Sequence, residues 1–154
     1  MTEIYVDASY NWKNTGPVLG KICIKGDGFP QIIEEHELPR ISWLNQYINL
    51  FELLAITRAC EIACEKGMND VTIYTDSGTA YWWSKRMKNP NSIVHKDIYL
   101  RCIKAQSRIK HVQIVQISRE INKAGFVFEE MQGKFRAENE FVENEKHLQE
   151  IMRF

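Results

Sequence analysis

Three carboxylates stand where carboxylates are out of place. Asp7 lies inside a β-forming run, Glu3-Ile4-Tyr5-Val6-Asp7-Ala8-Ser9, although aspartate is depleted in strands because it competes for its own backbone. Glu52 interrupts an apolar helical face between Phe51 and Leu53, and Asp76 follows Val71-Thr72-Ile73-Tyr74-Thr75. That last position is the carboxyl end of a strand, where open α/β sheets bind their ligands. Singly, each has a plain structural reading: Asp7 paired with a lysine, Glu52 at a helix boundary, Asp76 capping the next helix. Together they point elsewhere. A buried acid is costly unless it is paired or binds a metal. Three acids on one sheet edge repel unless a divalent cation neutralises them. Oxygen ligands without histidine or thiolate suit Mg²⁺ or Mn²⁺. Two such ions about 3.5–4 Å apart activate a water and stabilise the leaving oxygen in phosphodiester hydrolysis.

The elements that must bring these acids together follow from pattern. Residues 3–9, 18–25 and 31–38 read as three strands, separated by turn chemistry at 11–16 and at Gly26-Asp27-Gly28 and closed by Pro39. From Asn49 to Lys66, Leu50, Leu53, Leu54, Ile56, Ala59, Cys60 and Ala63 recur at helical spacing, and Gly67 supplies the stop. Residues 71–75 read as a short buried strand, 78–87 as a helix broken by Asn89-Pro90-Asn91, and 96–108 as a second helix. A fifth strand at 111–118, a short helix at 124–131 and a charged helical stretch at 136–152 complete the chain. The order βββαβααβα predicts an α/β fold: a five-stranded mixed sheet with helices on its faces. One domain is expected over 1–154, with a core at about 3–131 and a C-terminal helical extension at 132–154.

Composition sets outer bounds. An apolar fraction of 44% in 154 residues supports a packed core and argues against global disorder. No apolar run approaches the roughly 18 residues of a membrane span, and the N-terminus lacks a basic region followed by an apolar stretch. The expectation is a cytoplasmic protein with no membrane partner. Cys23, Cys60, Cys64 and Cys102 lack metal-ligand spacing and read as buried free thiols. Acids and bases balance at 20 each, but residues 81–119 carry nine bases and one acid, the asymmetry of a polyanion-binding surface or of an ordinary helix exterior. Gly16-Pro17-Val18-Leu19-Gly20-Lys21 imitates a phosphate loop, but lies between two strands, ends in Ile22 and reads as a hairpin turn. No organic cofactor is expected.

The chain resembles a type 1 ribonuclease H. The residues that carry the resemblance are Tyr5-Val6-Asp7-Ala8-Ser9, Asn49-x-x-Glu52-Leu53-x-Ala55, Ile73-Tyr74-Thr75-Asp76-Ser77 with Trp82 or Trp83 beyond, and Arg119-x-x-Asn122-x-Ala124. The element order agrees as well. The resemblance implies metal-dependent cleavage of the RNA strand of an RNA–DNA hybrid, leaving 5′-phosphate and 3′-hydroxyl ends. It implies two Mg²⁺ or Mn²⁺ ions, with Asp7, Glu52 and Asp76 as ligands. Asn49 takes the position that helps read the RNA 2′-hydroxyl, or else caps its helix. Ser9, Ser77, Trp82, Lys85, Arg86, Lys88 and Asn122 are the further substrate-contact candidates, the basic ones as phosphate contacts.

The pattern also departs from the family. A fourth carboxylate usually follows alanine at the start of the last helix, and here that position is Gly125. Either Glu129, one turn later, reaches back over the glycine, or the fourth ligand is lost. Glu130 points elsewhere. There is no loop histidine between Ile117 and Asn122, Gly78 stands where a glutamine is common, and His95 and His111 read as surface residues. The rival readings are a catalytically silent nucleic-acid-binding module and a DNA-directed relative such as a resolvase or integrase-like nuclease.

Overall fold

The structure is a computed structural model describing residues 1–11, 15–28, 30–40, 47–86 and 93–131. The expected C-terminal helix, the Asn89-Pro90-Asn91 break and Lys88 lie outside the described residues. Within them, the strands are β1 (Thr2–Asn11), β2 (Val18–Gly26), β3 (Ile32–Leu38), β4 (Asp70–Thr75) and β5 (His111–Gln116). The helices are α1 (Tyr47–Glu65), α2 (Gly78–Lys85) and α3 (Ile93–Ser107), joined by α4 at 123–131 after a short 3₁₀ turn, Arg119–Ile121. The expected order is observed, with boundaries moved by one to three residues.

The sheet runs β3-β2-β1-β4-β5. β1, β2 and β3 pair antiparallel, whereas β1, β4 and β5 pair parallel. That is what short hairpins followed by helical crossovers require. Ile4, Val6 and Ala8 are buried at alternate positions of β1 and join the main core with α1. On the opposite face, Cys23, Ala124 and Phe128 form a smaller cluster flanked by Tyr5 and Val127. α1 is buried almost all round because the sheet, α2 and α3 all pack against it. Its end is set by Gly67, at φ +67°, where Met68 N–H donates to the Ala63 carbonyl at 3.0 Å. Arg58 clamps Glu34 of β3 through Nε and a terminal nitrogen at 2.8 and 2.9 Å.

The false phosphate loop resolves into two separate features. Gly16, at φ +79°, makes the turn. Gly20 belongs to β2, and a Cβ there would overlap the Phe51 ring at 2.5 Å, so this glycine is set by helix-on-sheet packing.

One detail of register positions the acids. β4 pairs with β1 only as far as Tyr5↔Tyr74, while β1 continues along β2 through Asn11↔Leu19. Beyond Tyr5, therefore, the β4 side of β1 is open, and Asp7 and Asp76 both lie just past this divergence.

Candidate metal centre

Each acid reaches the split from a different element. Asp7 alternates with Val6 and Ala8 on β1 and so leaves the main core. Glu52 comes from α1, and Asp76 from the first residue after β4. One carboxylate oxygen from each of the three lies within 4.8 Å of the others. Ser77, rather than Asp76, caps α2: its Oγ accepts from the Ala80 N–H at 3.1 Å. The capping requirement of α2 is thus met without Asp76, which remains available to the cluster.

Burial and mutual repulsion set the electrostatics. Burial, reinforced by the Asp76 charge, pushes Asp7 from its ordinary 3.8 up to about 6. A hydrogen bond with Glu52, the Ala8 peptide N–H and the Arg119 cation pull the other way. Glu52 is driven well above the usual carboxylate range, first by burial and then by the charge and hydrogen bond of Asp7 and the charge of Asp76. Their mutual hydrogen bond lowers Asp7 and raises Glu52, so it favours a proton on Glu52 facing an ionised Asp7. One oxygen of Glu52, Oε2, is buried with no hydrogen-bond partner, which is costly for a carboxyl group. The set fits a hard divalent cation on three counts: oxygen donors, mutual repulsion and an unsatisfied buried oxygen. Asp7, Glu52 and Asp76 are the residues that would hold it.

The remaining candidates divide. Glu129 is solvent-exposed and does not belong to the acidic group. Where it was expected to reach over Gly125 to the acids, its side chain faces solvent and gives the cluster no oxygen. Gly125 itself is buried, and a Cβ there would lie 3.2 Å from Asp7 Oδ2, so residue 125 borders the cluster with no side chain to offer. Asn122, expected at the substrate, is completely buried. Its Nδ2 donates to Asp76 Oδ2 at 3.0 Å and to the Val6 carbonyl at 2.9 Å, and its Oδ1 accepts from Ala124 N–H at 3.1 Å. A side chain enclosed this way has no surface left for substrate.

Asn49 lies inside the first turn of α1, half-buried one turn before Glu52. It is therefore not the residue that caps that helix. Ser9 is half-buried two residues beyond Asp7 on the same face of β1. It borders a cavity of about 290 Å³ with Lys21, Glu35, Phe128 and Met131. Trp82 is 59% exposed, while Trp83 packs on the core and against His95 with ring centroids 4.0 Å apart. His95 is itself buried, correcting its surface reading, and burial holds its ring below the ordinary range. Lys85 lies over the Tyr81 ring and donates to its hydroxyl at 2.9 Å, and Arg86 is exposed at the end of α2. An eight-residue helix is about 12 Å long, so both bases are roughly one short helix away from Ser77. Two residues have roles at the site that the sequence did not assign to them. Arg119 brings a cation to Asp7, and the Gln116 amide nitrogen lies 3.1 Å from where a Gly78 Cβ would stand. Only the register that places β5 beside β4 shows either.

This sheet order, with an acidic cluster where β1 and β4 diverge, defines a ribonuclease H-like fold. The solved structures agree. A ribonuclease H1 from the archaeon Halobacterium salinarum superposes with TM-score 0.57 at 17% identity, covering 80% of this chain and 89% of that one. The N-terminal ribonuclease H domain of a Mycobacterium tuberculosis protein gives 0.59 at 14% identity, over 79% and 84%. LC11 ribonuclease H1, solved in complex with an RNA/DNA hybrid, gives 0.55 at 17% identity, over 80% and 89%. No family model matches the sequence, and no curated protein matches it. Among the described residues, no helix is long and apolar enough to cross a membrane.

Proposed function

We propose that this chain is a ribonuclease H: a divalent-metal-dependent endonuclease that hydrolyses the RNA strand of RNA–DNA hybrids in the cytoplasm, acting as a single domain. The observation that carries the reading is the convergence of Asp7, Glu52 and Asp76 within 4.8 Å at the split of a ribonuclease H-like sheet. The bound ions would supply an activated water and charge stabilisation for the departing 3′-oxygen, leaving 5′-phosphate and 3′-hydroxyl ends. We propose two Mg²⁺ or Mn²⁺ ions, the second held more weakly because, among the described residues, three carboxylates rather than four are at hand. Asn49, beside Glu52, is the candidate reader of the RNA 2′-hydroxyl. Lys85, Arg86 and Lys88 are the candidates for gripping the phosphates of the other strand, a grip that weakens steeply with salt, and Trp82 is the candidate for stacking on a sugar. Ser9 and Ser77 remain contact candidates at the rim, through half-buried hydroxyls.

One observation favours a second reading. Gly125 offers no ligand and Glu129 stands outside the cluster, the arrangement expected if the fold binds hybrids without cutting them. Strand-specific labelling separates the two. Incubation with a hybrid labelled on RNA or DNA, in Mg²⁺, Mn²⁺ or EDTA, gives metal-dependent cutting of the RNA label alone if the protein is a nuclease. Salt-sensitive binding with both strands intact supports the silent module and overturns the proposal.

A further inference from the structure

The open edge of β1 past Tyr5 leaves a carbonyl, that of Val6, without a β4 residue to bond it, because pairing between the two strands ends at Tyr5↔Tyr74. A buried carbonyl so exposed needs a donor. It finds one in a side chain from 116 residues further along the chain, Asn122 Nδ2 at 2.9 Å. The same nitrogen donates to Asp76 Oδ2 at 3.0 Å. At the other end of the carboxamide, Oδ1 receives the Ala124 N–H at 3.1 Å, while the Asn122 carbonyl accepts from Phe126 N–H at 3.3 Å. A single fully buried amide thus ties the end of β1, the residue after β4 and the first turn of α4.

We propose that Asn122 is the positioning residue of the metal centre, whose carboxamide takes the place of the missing next residue of β4 and fixes the Asp76 carboxylate against β1. The chemistry of the amide suits this role. A fourth carboxylate at the same spot would face Asp76 with like charge, whereas an amide nitrogen donates to it and leaves its charge intact. Asn122 also fixes the first turn of α4, and with it Gly125, whose lack of a side chain keeps Asp7 Oδ2 unobstructed. Outer-shell partners of metal-binding carboxylates act in this way, and losing one typically weakens metal binding about 10–100-fold. The inference concerns how the acids are held, and rests on the proposed function only for what the bound ion is used for.

The test measures Mn²⁺ binding by calorimetry on the metal-stripped full chain, independently of cleavage. Asn122→Ser keeps an oxygen that can cap α4 and removes the carboxamide nitrogen that donates to both Asp76 and Val6. Its Mn²⁺ dissociation constant is expected to rise about 10–100-fold, whereas a purely capping role would lower the melting temperature and leave the affinity of the folded protein unchanged. In an Asp76→Asn background the same substitution is expected to change affinity by less than twofold. Additive losses in the double variant, or an Asn122→Ser affinity within twofold of wild type, overturn the proposal. So does a wild-type protein that binds no Mn²⁺. Should Asn122→Ser fail to fold, Asn122→Asp keeps shape and cap acceptor but sets a like charge 3.0 Å from Asp76 Oδ2. Its metal-free melting temperature at pH 7.5 is expected to fall and to recover with Mn²⁺, and no fall overturns the proposal. A wild type that binds Mn²⁺ through an Asn122-dependent Asp76, yet cuts no hybrid, refutes the nuclease reading alone and upholds this one.

Discussion

Replacing Asp7 by asparagine removes one charge from a site that holds its charges apart with difficulty, and the consequences for stability and for activity run in opposite directions. The Asp7 carboxyl ordinarily titrates at 3.8 but is pushed up to about 6 by burial and by the Asp76 charge. Between these values the native chain retains a proton that the unfolded chain has released. The native state then binds more protons, so stability falls as pH rises through this window and stays reduced above it. Two pH units at roughly 1.4 kcal/mol each give an upper value near 3 kcal/mol, which solvent screening of a partly exposed carboxylate brings down to about 1–2 kcal/mol. In a chain of this size about 1 kcal/mol moves the melting temperature by roughly 2–4 °C. Asp7→Asn is therefore expected to melt about 2–8 °C higher than wild type at pH 8 in EDTA, and within about 1 °C of it at pH 4, where wild-type Asp7 is itself neutral. Saturating Mn²⁺ reverses the order at pH 8, because the ion stabilises only the chain that binds it. The assay is thermal unfolding followed by circular dichroism at the two pH values, with and without metal. A variant less stable than wild type at pH 8 in EDTA, or an equal gap at both pH values, refutes the reasoning and makes Asp7 a structural residue.

The other predictions concern the borders of the site. Glu129→Gln is expected to leave Mn²⁺ affinity and hybrid cleavage within about twofold of wild type, since Glu129 stands outside the acidic group, and a loss near tenfold (about 1.4 kcal/mol) would return it to the ligand set. Gly125→Asp puts a carboxylate where a Cβ alone lies 3.2 Å from Asp7 Oδ2; calorimetry is expected to show tighter Mn²⁺ binding and metal-free melting a lower transition, and unchanged affinity would detach residue 125 from the site. Gly20→Ala drives a methyl into the Phe51 ring and is expected to cost about 2–3 kcal/mol in urea unfolding with Mn²⁺ affinity preserved; a neutral result would mean the helix-on-sheet contact is slack.

Much of the fold was legible because its signals are local. Alternation in residues 3–9 and 71–75, the apolar period of α1 and the stop at Gly67 are each properties of a few neighbouring residues. Asp7, Glu52 and Asp76 were legible for a related reason, since each breaks the pattern of the element that carries it. Residues whose roles depend on register were harder to read. Asn122 looked like a substrate contact, yet it closes a gap that exists only because β4 leaves β1 at Tyr5. Gly20 looked like turn chemistry and is instead a contact with Phe51 on a distant helix. Glu129 had the right helical spacing from Gly125, but spacing alone does not say whether a side chain turns to the cluster or to solvent, where Glu129 stands. His95 was read as exposed because nothing in its neighbourhood shows Trp83 packed against it.

The most direct test of the account is cleavage of one RNA–DNA hybrid, each strand carrying its own label, by the wild-type protein and by Asp76→Asn. RNA and DNA duplexes and single-stranded RNA serve as controls, in Mn²⁺, Mg²⁺ or EDTA. The account predicts that the wild type cuts only the RNA of the hybrid, that EDTA abolishes the cutting, and that Asp76→Asn reduces it at least 100-fold, about 2.7 kcal/mol of transition-state stabilisation, while still binding the hybrid. Cutting that persists in EDTA or in Asp76→Asn, or none by the wild type with either ion, would contradict it.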